Sequence, residues 1–180
     1  MVVGYCWPYK GEFDARPLVR RLRRDGARIV LPAVVGKGQP LQFREWWPGV
    51  AMKPGVFDLP VPMSTAVLVP DALLIPPVGF SEHGERLGYG GGYFDRTLAA
   101  LSPQPLKIGV GFELSRIPTI YPQAHDVPMD FIVTEAGVHA VENNGMRLVG
   151  AVECAQRVVR IAAERGLPRG RPSIKVTDSE

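Results

Sequence analysis

Cysteine is scarce in this sequence, and long apolar runs are absent. Cys6 and Cys154 lie far apart without CxxC spacing, which excludes a zinc pattern and a disulfide framework. We interpret both as buried thiols of an intracellular protein. No apolar run approaches the ~18 residues of a membrane span, and no basic stretch precedes an apolar core at the N-terminus. These absences predict a cytoplasmic protein with no membrane partner.

The features of nucleic-acid-binding proteins are also missing. The net charge is only +3, a mild excess that suits an anionic ligand as well as nucleic acid. The aromatic, basic and glycine repeats of RNA-binding modules do not occur, so we expect no nucleic-acid partner. The 180 residues are 46% apolar and 22% charged, which is typical of one globular domain.

Short apolar segments alternate with helical patterns along the chain. This alternation predicts the α/β class, as a three-layer α/β/α domain with a mainly parallel central sheet over residues 1–168. A polar, mobile tail is expected at 169–180. In such folds ligands bind at the C-terminal ends of the strands. The predicted strands are 2–7, 28–31, 41–46 (at an edge), 72–75, 106–111 and 131–134, and the predicted helices are 14–26, 93–101 and 147–165.

Several local features are predicted as well. Asp14 is expected to cap the first helix, and Pro32 to end the second strand. The segment 48–62 has the composition of an extended loop, and Asn143-Asn144-Gly145 is a turn signal. One face of the last helix is expected to be buried. Its residues are Leu148, Val152, Ala155, Val159 and Ala162.

The segment that follows the strand at 72–75 carries the strongest functional signal. Four glycines fall within residues 88–92, directly before a predicted helix. Glycines let backbone N–H groups approach an anion, and the helix N-terminus adds partial positive charge. Arg86 can hold phosphate oxygens, and Asp95 offers a carboxylate to Mg²⁺ beside them. The alternative is a flexible loop, because the pattern is neither a Walker motif nor a dinucleotide fingerprint.

Two other clusters lie next to predicted strands. After the first strand, Trp7 can stack on a flat heterocycle and Glu12 can accept hydrogen bonds from its N–H groups. The alternatives are core packing for Trp7 and helix capping for Glu12. Before the strand at 131–134, Asp126 could join Asp95 on a metal ion.

Three further polar features favour a structural interpretation over a chemical one. We interpret His125 as a hydrogen-bonded loop residue and Asp130 as a strand or turn cap. The arginines of segment 16–24 are interpreted as a solvated helix face, with attraction of a polyanionic substrate tail as the alternative.

In four segments, the chain resembles the 5-formyltetrahydrofolate cyclo-ligases, also called methenyltetrahydrofolate synthetases. Residues 86–98, RLGYGGGYFDRTL, match the family's RLGxGxGYYDR loop. Residues 7–18, WPYKGEFDARPL, are similar to its strand-end GE-D motif. Residues 69–88 and 118–135 resemble the strand leading into the loop and the closing HD-x-x-x-D motif. The four motifs occur in family order over residues 2–135.

The resemblance implies a fold similar to the CoA-transferase-like type and an ATP- and Mg²⁺-dependent reaction. The family converts 5-formyltetrahydrofolate to 5,10-methenyltetrahydrofolate and releases ADP and phosphate. ATP phosphorylates the formyl oxygen, N10 attacks the activated carbon, and phosphate leaves, so no protein nucleophile is required.

The same resemblance implies roles for individual residues. Arg86 and Tyr93 are expected to be catalytic, and Asp95 and Asp126 to bind Mg²⁺. ATP would be bound by Arg86, Leu87, Gly88, Tyr89, Gly90, Gly91, Gly92, Tyr93 and Phe94. The folate would be bound by Trp7, Glu12, Tyr89, Gly90, Gly91, Gly92 and Tyr93.

The chain departs from the family pattern at several points. It starts at the first predicted strand, whereas the family begins with a helical segment whose basic residues contact ATP, so we expect weaker nucleotide binding. Tyr89 stands where many members have arginine, and Phe94 replaces a tyrosine. We hypothesise that helix 147–165, which extends beyond the usual end, covers the apolar surface that the initial helix would cover.

These departures leave an alternative function and an open assembly state. The alternative is a paralogue that binds a nucleotide or a pterin-like ligand without cyclo-ligase activity. Monomer and homodimer both stay open.

Overall fold

The computed structural model describes residues 1–168, so the predicted tail at 169–180 lies outside the described residues. Within this part of the chain no helix combines the length and the apolar character that a bilayer crossing requires. The helices are α1 (Arg16–Arg24), α2 (Tyr93–Ala100) and α3 (Ala151–Arg165). The first strands are β1 (Val2–Tyr5), β2 (Arg28–Ala33), β3 (Gln42–Trp46), β4 (Met52–Pro54), β5 (Pro60–Pro62) and β6 (Ala72–Ile75). The later strands are β7 (Gly79–Phe80), β8 (Arg86–Leu87), β9 (Leu106–Val110), β10 (Phe131–Thr134), β11 (Gly137–Glu142) and β12 (Gly145–Val149).

An eight-stranded sheet forms the centre of the molecule, in the order β12-β11-β10-β9-β6-β1-β2-β3. The strands from β10 to β2 in this order are parallel, whereas β3, β11 and β12 run antiparallel to their neighbours. Smaller hairpins join β4 to β5 and β7 to β8. The prediction of an α/β fold with a mainly parallel sheet is confirmed, and so is the edge position of β3.

Both faces of the sheet are covered by helices. In β6 all four residues are buried, as expected for a strand with apolar packing on both sides. Leu74 packs in the cluster that contains Val19 of α1, while Leu73 packs on the opposite face with Leu98 of α2. Helix α3 lies on the same face of the sheet as α1. It packs against Ala72 of β6 and against residues of the neighbouring strands. The arrangement therefore has three layers, as predicted.

Helix α3 differs most from its prediction. It begins at Ala151 rather than at 147, because residues 145–149 pair with β11 as strand β12. The predicted buried face is largely solvent-exposed, with relative exposures of 55% for Leu148, 74% for Val152 and 58% for Val159. The hypothesis that this face covers core surface is therefore wrong. The residues that pack instead are Cys154, Val158, Ile161 and Ala162.

Other boundaries also need correction. Pro32 does not end β2 but pairs with Phe43 of β3. It fits because β1 pairs with β2 only as far as Val30, which leaves one side of the proline without a strand partner. The predicted extended loop 48–62 contains the β4–β5 hairpin. The turn at 143–145 is confirmed by the β11–β12 hairpin.

The termini of α1 and the cysteines also differ in detail from the predictions. The N-cap position of α1 is Ala15, and the Asp14 carboxylate instead accepts the Arg16 N–H at 2.9 Å. Cys6 and Cys154 are free thiols, but they are half-buried rather than fully buried.

A buried ion cluster anchors the start of β9 and β10 to the end of α3. Asp130 accepts two hydrogen bonds from Arg165, at 2.8 and 2.6 Å, and one from the Lys107 backbone N–H at 2.8 Å. The Lys107 ammonium lies 3.9 Å from the same carboxylate. Burial lowers the pKa of Lys107, and the charge of Asp130 opposes that shift. The interpretation of Asp130 as a structural residue is consistent with these contacts.

We expect Asp130→Asn to lower the free energy of unfolding by about 3 kcal/mol, because it leaves a buried ammonium without its counter-ion. Urea denaturation followed by circular dichroism measures the change. Glu164→Gln is the matched control, since it removes a carboxylate from an exposed pair with Arg160 and should cost less than about 0.5 kcal/mol. Equal effects of the two variants would show that the buried cluster does not stabilise the fold.

Candidate functional site

A cavity of about 1020 Å³ opens where the loops after β1 and β6 meet. The β4–β5 hairpin, the start of α2 and the segment 120–126 complete its walls. Every residue that the sequence assigned to ligand or metal binding lies on this wall. These residues are Trp7, Glu12, Arg86, Leu87, Gly88, Tyr89, Gly90, Gly91, Gly92, Tyr93, Phe94, Asp95 and Asp126.

The glycine loop needs its glycines for shape. Gly90 and Gly92 have φ of +85° and +61°, in the left-handed region that other residues rarely adopt. Gly92 is also the N-cap of α2, so the bare backbone leads straight into the helix N-terminus. A Cβ at Gly91 would lie 2.8 Å from the Tyr93 ring. The loop is therefore a defined turn of exposed backbone, the geometry that suits an anion.

Arg86 forms the buried floor beside this loop. Its Nη2 donates to Asp95 Oδ2 at 3.2 Å, and its guanidinium lies 5.3 Å from the centroid of the Phe94 ring. Its Nε is buried and has no hydrogen-bond partner among the described residues. A buried donor without a partner costs free energy, so an anionic oxygen at this point would be stabilised. The arginine thus fits the phosphate site predicted for it.

Two carboxylates on the cavity wall are candidates for a metal ion. Asp95 approaches from the first turn of α2, and Asp126 from the segment before β10. Asp126 Oδ2 accepts the Gln123 backbone N–H at 2.7 Å, which holds its orientation. Residues 1–168 contain no cluster of three or more His, Cys, Asp or Glu side chains that could hold a metal. A pair of carboxylates is a sufficient protein contribution for Mg²⁺ when water and phosphate supply its other ligands.

His125 contributes little to this pair. Its side chain is exposed, and its Nε2 lies 3.7 Å from Asp126 Oδ1. That distance is too long for a hydrogen bond. The His125 side chain therefore does not form a hydrogen bond with Asp126, and the predicted hydrogen-bonded role of His125 is not confirmed.

Glu12 lies in a tight turn of the cavity wall, beside Tyr89 of the glycine loop. Its Oε2 accepts the Tyr9 N–H at 3.1 Å, and its own N–H donates to the Tyr9 carbonyl at 3.0 Å. Lys10 and Gly11 in this turn have φ of +47° and +84°. Burial raises the pKa of the Glu12 carboxyl, opposed by the Tyr9 N–H and the Tyr89 hydroxyl. Glu12 does not cap α1, so the capping alternative is wrong.

The aromatic side chains around Glu12 are packed on one another. Trp7 lies edge-on to Trp46 with centroids 6.3 Å apart, and the Arg16 guanidinium lies 5.0 Å from its ring centroid. Tyr9 and Tyr89 meet edge-on at 5.6 Å. Trp7 therefore takes part in the core and also lines the cavity, so both interpretations of it hold in part.

Three exposed residues at the rim of the cavity had no role assigned to them from the sequence. Lys10, Phe57 and Tyr121 all line it, from three separate segments. Each has a positive φ, although none is glycine. Phe57 could have been found from the two short proline-flanked runs on either side of it, which have the spacing of a hairpin. No sequence signal marks Tyr121.

The arginine face of α1 stays outside the site. Within the described residues, Arg20, Arg21, Arg23 and Arg24 have no carboxylate within 4.0 Å, and none of them lines the cavity. This placement favours the solvated-surface interpretation over contact with a substrate tail.

Comparison with known proteins gives a consistent result. The model of the 5-formyltetrahydrofolate cyclo-ligase family matches residues 2–135. The 5-formyltetrahydrofolate cyclo-ligase of Escherichia coli K12 is 30% identical over 140 residues, which covers 72% of this chain and 75% of the relative. The cyclo-ligase of Mycolicibacterium smegmatis is 33% identical over 137 residues, 71% of this chain and 70% of the relative.

Two solved structures are similar in fold. The Aquifex aeolicus 5,10-methenyltetrahydrofolate synthetase superimposes with a TM-score of 0.66 at 30% identity, covering 83% of this chain and 75% of that one. The Mycoplasma pneumoniae 5,10-methenyltetrahydrofolate synthetase has a TM-score of 0.58 at 26% identity, covering 73% and 71% of the two chains.

We expect Glu12→Gln to leave the melting temperature at pH 7 unchanged or higher. Because the pKa of Glu12 is raised in the folded chain, the folded state binds this proton more readily than the unfolded state does. The stability gained from that proton is complete below the unfolded pKa and is lost as pH rises through the folded pKa. The ionised group therefore reduces stability at neutral pH, and glutamine removes that effect.

Thermal unfolding of both proteins between pH 4 and 8 measures this difference. The gap between variant and wild type should shrink as the pH falls. A variant that melts well below the wild type at pH 7 would show that the Glu12 carboxylate stabilises the fold instead.

Proposed function

The chain belongs to the 5-formyltetrahydrofolate cyclo-ligase family, and we propose that it closes 5-formyltetrahydrofolate to 5,10-methenyltetrahydrofolate with ATP and Mg²⁺, releasing ADP and phosphate. One observation carries the proposal: a single cavity joins an anion-binding loop to a carboxylate suited to a heterocycle. Residues 86–95 and Glu12 line this same cavity. Such a cavity can hold a triphosphate and a pterin in contact.

The nucleotide end is formed by the glycine loop and Arg86. The backbone N–H groups of residues 88–92 and the N-terminus of α2 would face the phosphates. Arg86 would donate its free Nε to a phosphate oxygen, since that atom has no partner among residues 1–168. ATP supplies the phosphoryl group that turns the formyl oxygen into a phosphate leaving group.

Asp95 and Asp126 would hold Mg²⁺ beside the phosphates. When bound, the ion neutralises phosphate charge as a Lewis acid. In the protein, the Arg86–Asp95 pair fixes the Asp95 carboxylate, and the Gln123 N–H fixes Asp126. Both ligands are therefore oriented before a metal arrives, which lowers the cost of binding it.

The folate end is formed by Glu12 and the aromatic side chains near it. An ionised Glu12 would accept hydrogen bonds from the N–H groups of the pterin ring. Tyr93, at the start of α2, would border the formyl group between the two ends of the cavity. The residues then act by positioning N10 and the formyl carbon and by stabilising developing charge. No side chain has to attack the substrate.

We expect purified protein with ATP, Mg²⁺ and 5-formyltetrahydrofolate to form methenyltetrahydrofolate, seen as a rise in near-ultraviolet absorbance. Asp95→Asn should reduce kcat/KM by about 100-fold or more, because a metal ligand supports several kcal/mol of charge stabilisation. Asp25→Asn is the matched control, since this exposed carboxylate follows α1, and its activity should equal that of the wild type.

The outcome without turnover is also informative. If the wild type binds ATP but gives no absorbance change, the cyclo-ligase activity is rejected. That result would favour the paralogue that binds a nucleotide or pterin-like ligand without closing the ring. If Asp95→Asn keeps full activity, the assignment of Asp95 to the metal is wrong.

A further inference from the structure

Arg96 lies against the glycine loop without lining the cavity. It belongs to α2, four residues after the N-cap Gly92. Its Nη2 donates a hydrogen bond to the carbonyl oxygen of Gly91. Its guanidinium also lies 5.3 Å from the centroid of the Tyr93 ring. Since Gly91 and Tyr93 both line the cavity, Arg96 contacts two wall residues from outside it.

The guanidinium of Arg96 has no counter-ion within residues 1–168. No carboxylate oxygen in this part of the chain lies within 4.0 Å of it. Its Nε is buried and lacks a hydrogen-bond partner among the same residues. A buried donor without a partner costs free energy. The contacts with Gly91 and Tyr93 are therefore the interactions that stabilise this placement of the side chain.

The hydrogen bond to Gly91 fixes the direction of one peptide group. The peptide bond between Gly91 and Gly92 is trans, so its carbonyl and its N–H point in opposite directions. Because the carbonyl points toward Arg96, the N–H of Gly92 points away from Arg96. This N–H has no acceptor among the described residues, and Gly92 lines the cavity. The N–H is therefore available to an anion in the cavity.

The Gly91–Gly92 peptide group would turn over easily without such a contact. Glycine has no Cβ, so two adjacent glycines allow the peptide between them to rotate at little steric cost. The reversed peptide would direct a carbonyl oxygen at the anion and remove one N–H donor from the site. The bare backbone also leaves room for the guanidinium, since a Cβ at Gly92 would lie 2.8 Å from Arg96 Nη1.

We propose that Arg96 is a positioning residue that holds the Gly91–Gly92 peptide with its N–H toward the triphosphate. The proposal rests on the proposed function, in which the N–H groups of residues 88–92 face the phosphates of ATP. Arg96 acts through the backbone of the loop and does not touch the nucleotide. Without Arg96 the peptide would exchange between two orientations, of which only one donates to the phosphates.

Arg96→Met tests the proposal, because it keeps the length of the side chain and removes its donors. Isothermal titration calorimetry gives the Kd of a non-hydrolysable ATP analogue with Mg²⁺ and, separately, the Kd of 5-formyltetrahydrofolate. The variant should bind the analogue about tenfold more weakly, as expected for the loss of one hydrogen bond to a charged group. Its affinity for the folate should change less than about twofold, because Glu12 recognises the pterin independently of this peptide.

Arg20→Met is the matched control. It removes an exposed arginine of α1 that does not line the cavity, and it changes the net charge by the same amount. This variant should bind both ligands like the wild type. Arg96→Lys retains a cationic donor and should recover part of the affinity for the nucleotide that Arg96→Met loses.

Nuclear magnetic resonance of ¹³C,¹⁵N-labelled protein separates peptide orientation from a general structural role. Without any ligand, the carbonyl ¹³C shift of Gly91 should change in Arg96→Met and stay constant in Arg20→Met, because this shift reports the hydrogen bond to the carbonyl oxygen. Addition of the ATP analogue should move the Gly92 amide proton downfield in the wild type, and less in Arg96→Met.

The contrary outcomes can be told apart. Unchanged affinity of Arg96→Met for the ATP analogue would reject the proposal. Equal losses of affinity for the analogue and the folate would show a general disturbance of the cavity and would also reject it. A wild type that binds no nucleotide would reject the proposed function. In that case a Gly91 carbonyl that still responds to Arg96→Met would show that Arg96 holds the peptide, and one that does not respond would show that it does not.

Discussion

The parallel pairing of β1 with β6 determines where the site can form. Val3, Gly4 and Tyr5 pair with Ala72, Leu73 and Leu74, so both strands end at the same edge of the sheet. Both β9 and β10 run in the same direction. The segments that follow β1, β6 and β9 therefore meet at one edge. At Gly4 a Cβ would lie 2.4 Å from Leu73 Cδ2, so a larger residue there would displace the buried Leu73 side chain.

Several residues that line the cavity have environments or backbone conformations that destabilise the folded chain. Arg86 is buried with one donor unpaired, Glu12 has a raised pKa, and three non-glycine residues on the rim have positive φ. Each of these features costs free energy in the chain without ligand. In the ion cluster at the opposite end of β10, both oxygens of Asp130 accept hydrogen bonds. Three of the five non-glycine residues that have a positive φ within residues 1–168 thus line the cavity, where a ligand can compensate for the strain.

Local patterns made much of the site predictable. The glycine loop, Arg86, Asp95 and Glu12 stand in short segments whose chemistry does not depend on distant residues. Asp126 came from the same reasoning, and all of them reach one cavity. The parallel strands were predictable because a strand that is buried on both faces has a continuous apolar run, as at 72–75.

The errors arose where distant pairing overrides local preference. Residues 147–149 fit a helical pattern, but the 143–145 turn folds them back onto β11. Val152 and Val159 have helical spacing, yet α3 packs against the sheet through Cys154 and Val158 instead. Tyr121 was missed for a different reason, because its backbone is set by local hydrogen bonds to Thr119 and Gln123 that no hydrophobic periodicity reveals.

The central claim is that nucleotide and folate bind to two ends of one cavity. Backbone amide chemical shifts of ¹⁵N-labelled protein test it most directly, with a non-hydrolysable ATP analogue and Mg²⁺ added first and 5-formyltetrahydrofolate second. We predict that the nucleotide shifts the amides of residues 88–92, and that folate then shifts those of residues 9–12. Shifts confined to the surface of α1 or α3, with residues 88–92 unmoved, would contradict the account.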